Sequence, residues 1–424
     1  MECPLCSSEM TGSRCPNCGY TVATKRTADK KGITRKLKAL VTTIALVLFL
    51  GYLVLNTGLL LLSTDLIYPE TLNSGTILFI LIPFGLRITE LTGYAFAIYY
   101  LFLVVSILLS YAMIFYTGWD GLVSYIKSVL DGKFDQLEKN YSETSSPILR
   151  LATVFAALIF ISYLYVILLE FTGRGIETPG QFLEMPLWRR IFSLTEAAVW
   201  EEIIVRVAYI GLPMVIYAAV KGRKKLRKYP LGGFGFEDRF SVILVIISTI
   251  IFAMAHLPGW NWDPLKVIQV LPAGIFFGYL FVKDGLHSAI LVHFVWDFLS
   301  VPDKMMYIPN FNTILSLIIL FWMAVGAYYT YAYIKKFNRW ITSGQEEEKP
   351  EGTHKRESEL IGEAEDHTAG VTIGYSCPNC GYTTSEYTDE NKLRCKRCGT
   401  ETDPKSPQAQ QQKNLLKRSR WPPS

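Results

Sequence analysis

The sequence predicts an all-α polytopic membrane protein of about eight transmembrane helices, with a small cysteine-ribbon module at each terminus. Three observations predict it. The 424 residues are 50% hydrophobic with a mean hydropathy of +0.25, which suits several bilayer spans with polar attachments. Apolar runs long enough to span recur along the middle of the chain, separated by polar or basic connections. All eight cysteines lie in the two tails, in CxxC pairs, so no disulfide is expected among the spans. The net charge of +5 is modest, and its Lys and Arg flank the apolar runs. That is a membrane-topology pattern, and no nucleic-acid partner is expected. The chain opens on a polar segment, so no cleavable signal peptide is expected.

In order, residues 1–20 hold Cys3, Cys6, Cys15 and Cys18, two CxxC pairs that can wrap one tetrahedral Zn2+. Residues 21–38 read as a basic linker with Lys25, Arg26, Lys30, Lys31, Arg35, Lys36 and Lys38. The membrane domain is expected over 39–340. Its runs are 39–62, 93–116, 148–169, 191–220, 241–257, 267–282, 286–301 and 314–333. Residues 76–86 are apolar but too short to span, so they lie in the outer interface or extend the next helix. Residues 118–147 read as a mixed-charge loop, and 170–189 as an outer connection. The basic segments before residue 39 and at 221–228 place both termini in the cytoplasm of a multi-pass plasma-membrane protein. Residues 341–372 read as a charged, disordered linker. At 373–402, Cys377-Pro-Asn-Cys380-Gly-Tyr382 repeats the hexapeptide of Cys15–Tyr20 and joins Cys395 and Cys398 in a second zinc ribbon. Reducing cytoplasm keeps such thiols available for metal. Residues 403–424 read as a disordered tail.

The fourth run carries Glu201, Glu202 and Arg206. A charge at a bilayer centre costs about 2.5–3.5 kcal/mol even on a lenient scale, so such residues mark function by default. Glu202 and Arg206 are i, i+4 and can pair; Glu201 is left without a local partner. His256 ends the fifth run, and His293 and Asp297, again i, i+4, lie in the seventh. His287 sits at the edge of a run, and His354 and His367 fall in the linker. Glu201 with His256 can activate water, and His293 can donate to a developing oxyanion. The same side chains can hold a catalytic divalent metal, and the residues alone leave the two routes open; the HExxH signature is absent. At ~1.5 Å per residue, Glu201 lies about 16 Å from Arg190, His293 about 15 Å from Lys283, and His256 about 25 Å from Arg239. His256 is thus expected nearer the outer face than the other two.

Glu201-Glu202-x-x-x-Arg206, Phe252-x-x-x-His256 and His293-x-x-x-Asp297, in that order, resemble the three motifs of the CPBP family. These are intramembrane endopeptidases of the CAAX-prenyl-protease (Ras-converting-enzyme) and bacteriocin-processing types. The stretch Gly278–Ile290 is also similar, and the resemblance covers about 150–335. It implies a catalytic core in which Glu201 and His256 activate the attacking water. Glu202 and Arg206 shape the motif, Phe252 packs near it, and His293 with Asp297 serves the oxyanion. Some members carry Asn at the place of Asp297, which implies that this carboxylate orients His293. It implies a membrane-associated protein or peptide as substrate and leaves metal dependence open. Two other classes compete: a non-catalytic membrane scaffold whose ribbons recruit protein partners, and a proton-relaying transporter. The latter usually shows internal repeats, and none is seen between the halves.

Overall fold

The computed structural model describes residues 25–82, 84–134, 146–236, 238–257, 262–305 and 309–342. In the C-terminal tail it describes 373–374, 384–387, 392–395, 398 and 400–402. The chain divides into two units, Met1–Glu346 and Glu347–Ser424.

In the first unit, helix α1 (Lys25–Asn73) leads into a hairpin of β1 (Gly75–Ile82) and β2 (Phe84–Thr92). Among the described residues seven longer helices follow: α2 (Gly93–Leu130), α3 (Pro147–Phe171), α4 (Leu187–Val220), α5 (Arg239–Met254), α6 (Leu265–Lys283), α7 (Leu286–Asp297) and α8 (Phe311–Thr342). Each of the eight runs expected to span thus contains a helix. Among the described residues, six helices are long and apolar enough to cross a membrane. The 16 residues of α5 and the 12 of α7 reach about 24 and 18 Å at ~1.5 Å per residue, short of a ~30 Å hydrocarbon core. Exposed residues such as Val54, Ile98, Leu109, Ile246, Leu317 and Leu320 give the bundle a lipid-facing apolar surface.

Three expectations are corrected. The basic linker is helical from Lys25, as part of α1. The segment 118–130 is helix, because Gly118, Leu122, Tyr125 and Ser128 recur at helical spacing and bury one face of α2. Of the two readings of residues 76–86, in the outer interface or as an extension of the next helix, the second is excluded. The residues belong to an antiparallel hairpin with a register shift between Leu78 and Phe79. Its strands are rich in Ile, Thr, Phe and Leu and are punctuated by Gly75 and Gly85.

Lipid tails are as apolar as leucine, so helices in a membrane are held by close packing and interhelical hydrogen bonds. Helix α3 is buried along Ile148–Ile159 and lies against α8. Trp322 of α8 meets the ring edges of Tyr52 and Phe155 at 5.7 and 5.1 Å. Gly326 is the closest approach: a Cβ there would stand 2.0 Å from the Ala156 carbonyl oxygen. Gly326→Ala is therefore expected to force the helices apart and lose about 1–3 kcal/mol. Gly51→Ala, on α1 with nothing within 4 Å of its added Cβ, should be neutral or gain up to ~1 kcal/mol. Melting of the two variants in detergent checks the pair; equal melting points would refute the packing argument. Helix α6 seats on α5 in the same way. Gly274 and Gly278 are one turn apart, and Cβ atoms there would lie 2.9 and 2.8 Å from Thr249 and Val245.

Polar contacts mark the two ends of the bundle. At one end, Arg150 grips Asp284 with two bonds of 2.7 and 2.9 Å. Nearby, Gly233 and Gly235 donate to Phe281 and Val282, Arg223 pairs with Asp238, and Thr153 meets Tyr333. At the other end, Arg189 donates to the Gly75 carbonyl at 2.9 Å, Tyr165 donates to the Leu265 carbonyl at 3.1 Å, and Phe182 meets Trp262 at 6.1 Å.

In the second unit, short strands β3 (Ile373–Gly374), β4 (Thr384–Tyr387), β5 (Leu393–Cys395) and β6 (Glu401–Thr402) pair antiparallel in that order.

Candidate active site

Helix α4 is not a regular α-helix where the acidic motif falls. Ala197–Glu201 and Ile203–Gly211 are wound as π-helix. Such windings are rare and cluster at functional sites, because they widen the turn and re-aim side chains. No residue pattern announces this one.

Glu202 and Arg206 are fully buried and paired, Arg206 Nε lying 2.9 Å from Glu202 Oε2. Arg206 Nη1 donates to Ser248 Oγ of α5 at 2.6 Å, and the guanidinium lies 5.1 Å over the Phe252 ring. The other Glu202 oxygen, Oε1, is 3.0 Å from His293 Nδ1 of α7. His293 Nε2 in turn faces Asp297 at 3.3 Å. A carboxylate only accepts, so an imidazolium donating from both nitrogens satisfies both partners. Phe277 of α6 stacks on His293 at 4.7 Å, and Phe252 meets it edge-on at 5.8 Å. The first and third motifs are therefore joined directly, and the second is packed between them through Phe252.

His256 lies two residues past the last residue of α5. Its Nδ1 is 2.9 Å from the Phe252 carbonyl. A carbonyl oxygen only accepts, so Nδ1 carries the proton in this contact. Glu201, half-buried, makes no hydrogen bond or ion pair among the described residues. Its carboxyl interacts electrostatically with His293, Asp297, Glu202 and Glu196, and His256 does so with Asp297 and His293. Glu201, His256, His293 and Asp297 thus share one neighbourhood, with no direct bond between Glu201 and His256.

Sequence reading missed several supports. Ser248 is one helical turn before Phe252 and two before His256, a spacing that could have found it. Trp200, next to Glu201, donates to the Phe79 carbonyl at 2.8 Å and so docks the hairpin on the motif helix. Glu196, buried, accepts from Tyr99 of α2 at 3.0 Å. Tyr52 of α1 donates to the Phe298 and Leu299 carbonyls and ties down the end of α7.

Among the described residues, no three His, Cys, Asp or Glu side chains are placed to hold a metal ion. In the site, both ring nitrogens of His293 are already engaged. This arrangement does not fit a metal bound through His293. Of the tail cysteines, Cys3, Cys6, Cys15, Cys18, Cys377 and Cys380 lie outside the described residues. Cys395 ends β5, and the exposed Cys398 follows with its Sγ 3.1 Å from Thr400 Oγ1.

No curated protein and no solved structure matches the chain. Residues 183–299 match the family model of type II CAAX prenyl endopeptidases, Rce1-like, a family of membrane peptidases, and the matched segment contains Glu201, Glu202, Arg206, His256, His293 and Asp297.

Proposed function

We propose that this chain is an intramembrane endopeptidase that hydrolyses a peptide bond in a membrane-associated protein or peptide. The observation that carries the reading is the Glu202–His293 bond, 3.0 Å long, made beside Glu201, which has no hydrogen bond or ion pair among the described residues. A structural ion pair explains Glu202 and Arg206. It does not explain why the next carboxylate is held beside it without a hydrogen bond or ion pair among the described residues.

In this reading a water sits between Glu201 and His256. The two bases take its proton as its oxygen bonds to the substrate carbonyl carbon. The charge that develops on the carbonyl oxygen is stabilised by the His293 imidazolium, held in place by Glu202 and Asp297. Collapse breaks the C–N bond, and the captured proton goes to the leaving amine. Arg206 and Ser248 fix Glu202, and through it His293. The protein would act in the cell membrane with both termini cytoplasmic, and its tails would offer a docking surface for a protein partner.

The test compares peptide termini in membrane fractions carrying wild-type protein or Glu201→Gln. New termini present only with the wild type support cleavage. Identical sets of termini leave the scaffold reading standing.

For the tails, the two four-cysteine sets each hold one zinc ion in this reading. Cys395 at a strand end and Cys398 just after it suit the second knuckle of a ribbon. Metal analysis of the purified full chain is expected to give about two zinc per molecule, falling to about one in Cys395→Ser/Cys398→Ser. Metal content unchanged by that double substitution would count against the C-terminal site.

A further inference from the structure

The π winding decides which side chains are neighbours of Glu201. In an α-helix of about 3.6 residues per turn, positions five apart point about 140° away from each other. A π turn closes from i to i+5, so the residue before it and its last residue stack one turn apart, as i, i+4 residues do in an α-helix. The π segment Ala197–Glu201 starts directly after Glu196. Glu196 and Glu201 are therefore one-turn neighbours on one face of α4.

That turn is flanked on two sides. Helix α7 brings His293 and Asp297, and α2 brings Tyr99; both helices pack on the π-wound segment. Glu196 is buried, and its Oε1 accepts from the Tyr99 hydroxyl at 3.0 Å. The Tyr99 ring is held on several sides. Trp200 and Phe192 meet it edge-on at 5.9 and 6.4 Å, and Phe102 stacks on it at 6.4 Å. A hydroxyl donates a single hydrogen bond. Given to Glu196, that bond is withheld from Glu201, whose charge the same hydroxyl also feels. The neighbouring indole is engaged too, since Trp200 Nε1 donates to the Phe79 carbonyl. Tyr99 and Trp200, the donors beside Glu201 on the α2 and hairpin side, are thus both bound elsewhere. Glu201 is left without a hydrogen bond among the described residues.

We propose that Glu196 is a positioning residue: it holds the Tyr99 hydroxyl away from Glu201 and so keeps the Glu201 carboxylate open to water on the α5 and α7 side. A Tyr99–Glu201 bond would have to break before Glu201 could take a proton from water, and the rate would fall accordingly. That Glu201 acts on water rests on the endopeptidase reading; the competition for Tyr99 does not.

The test reads Glu201 in the full-length protein with dicyclohexylcarbodiimide, an apolar reagent that adds a carboxyl O–H across its C=N bond. Peptide fragmentation locates the adduct. Glu196→Met fills the volume without a carboxylate for Tyr99 to bond, and Glu196→Gln keeps an amide oxygen there. In Glu196→Met the hydroxyl is expected to turn to Glu201. The Glu201 adduct and the yield of Glu201-dependent peptide termini in membranes then each fall by roughly tenfold, the worth of one hydrogen bond to a charged group. Glu196→Met/Tyr99→Phe removes the hydroxyl, and both readouts are expected to recover, although a further tie between α2 and α4 is lost. Glu196→Gln should stay close to wild type in both.

A Glu196–Tyr99 bond that only ties the helices together would give no recovery in the double variant. A carboxylate acting through its charge would make Glu196→Gln fall with Glu196→Met. Either result overturns the proposal. If termini depend on Glu201 while the adduct ignores Glu196→Met, the proposal fails and the peptidase reading stands. If the adduct follows the expected pattern while no terminus depends on Glu201, the competition for Tyr99 stands and the peptidase reading fails.

Discussion

Glu201→Gln is expected to leave the protein as stable as wild type, or more so, while its cleavage rate falls by about 10²–10⁴-fold. The two halves of the result have separate causes. Gln has nearly the volume of Glu, so the packing around α4 is kept. The Glu201 carboxylate makes no hydrogen bond or ion pair among the described residues, so no partner is orphaned by the change. Removing a charge from the membrane interior also removes a cost of about 2.5–3.5 kcal/mol on the insertion scale. Catalysis, in contrast, loses the group that takes the proton from water. The measurements are the melting point in detergent and the cleavage rate in liposomes on the substrate found in the membrane comparison. A variant that melts lower and cleaves normally would make Glu201 a structural residue.

Much of this site is legible in the sequence because charge is so costly in an apolar segment. The spacing of Glu202 and Arg206 predicts their pairing, and that of His293 and Asp297 predicts their facing each other; both contacts are present. The helices are likewise legible as apolar runs. What joins the motifs is not. The Glu202–His293 bond spans 91 positions, and nothing local specifies it. The π-helical winding around Glu201 depends on the packing of α4 against its neighbours, and no residue along it breaks the helical pattern. The hairpin at 75–92 was hidden for a different reason. Short apolar runs satisfy helix and strand patterns alike, and only the docking of Phe79 and Gly75 on α4 decides between them. The shortness of α7 follows from Gly285, whose φ of +115° starts a new helix after Asp284. Residues 301–305 then form a separate short helix, so the apolar run 286–301 exceeds the helix it contains.

Arg206→Ala is expected to fail in the opposite way, losing folded protein before activity can be asked about. Arg206 is fully buried and serves three neighbours on two helices. Its Nε pairs with Glu202, its Nη1 donates to Ser248, and its plane covers Phe252. Truncation leaves a cavity and strands Glu202 as a buried charge with His293 alone. Breaking a buried pair from one side costs about 3–5 kcal/mol, a large part of the ~5–15 kcal/mol that holds a typical domain. The double variant Glu202→Gln/Arg206→Met separates charge from packing. Gln removes the stranded charge and Met restores much of the lost volume, so the folded level should recover toward wild type. Activity should not recover, because the amide is a weaker acceptor for His293 than the carboxylate it replaces, and the imidazolium then loses its anionic anchor. Size-exclusion profiles in detergent read the first outcome and the liposome assay the second. A double variant that is well folded and fully active would show that the Glu202–His293 contact does no more than pack α4 against α7.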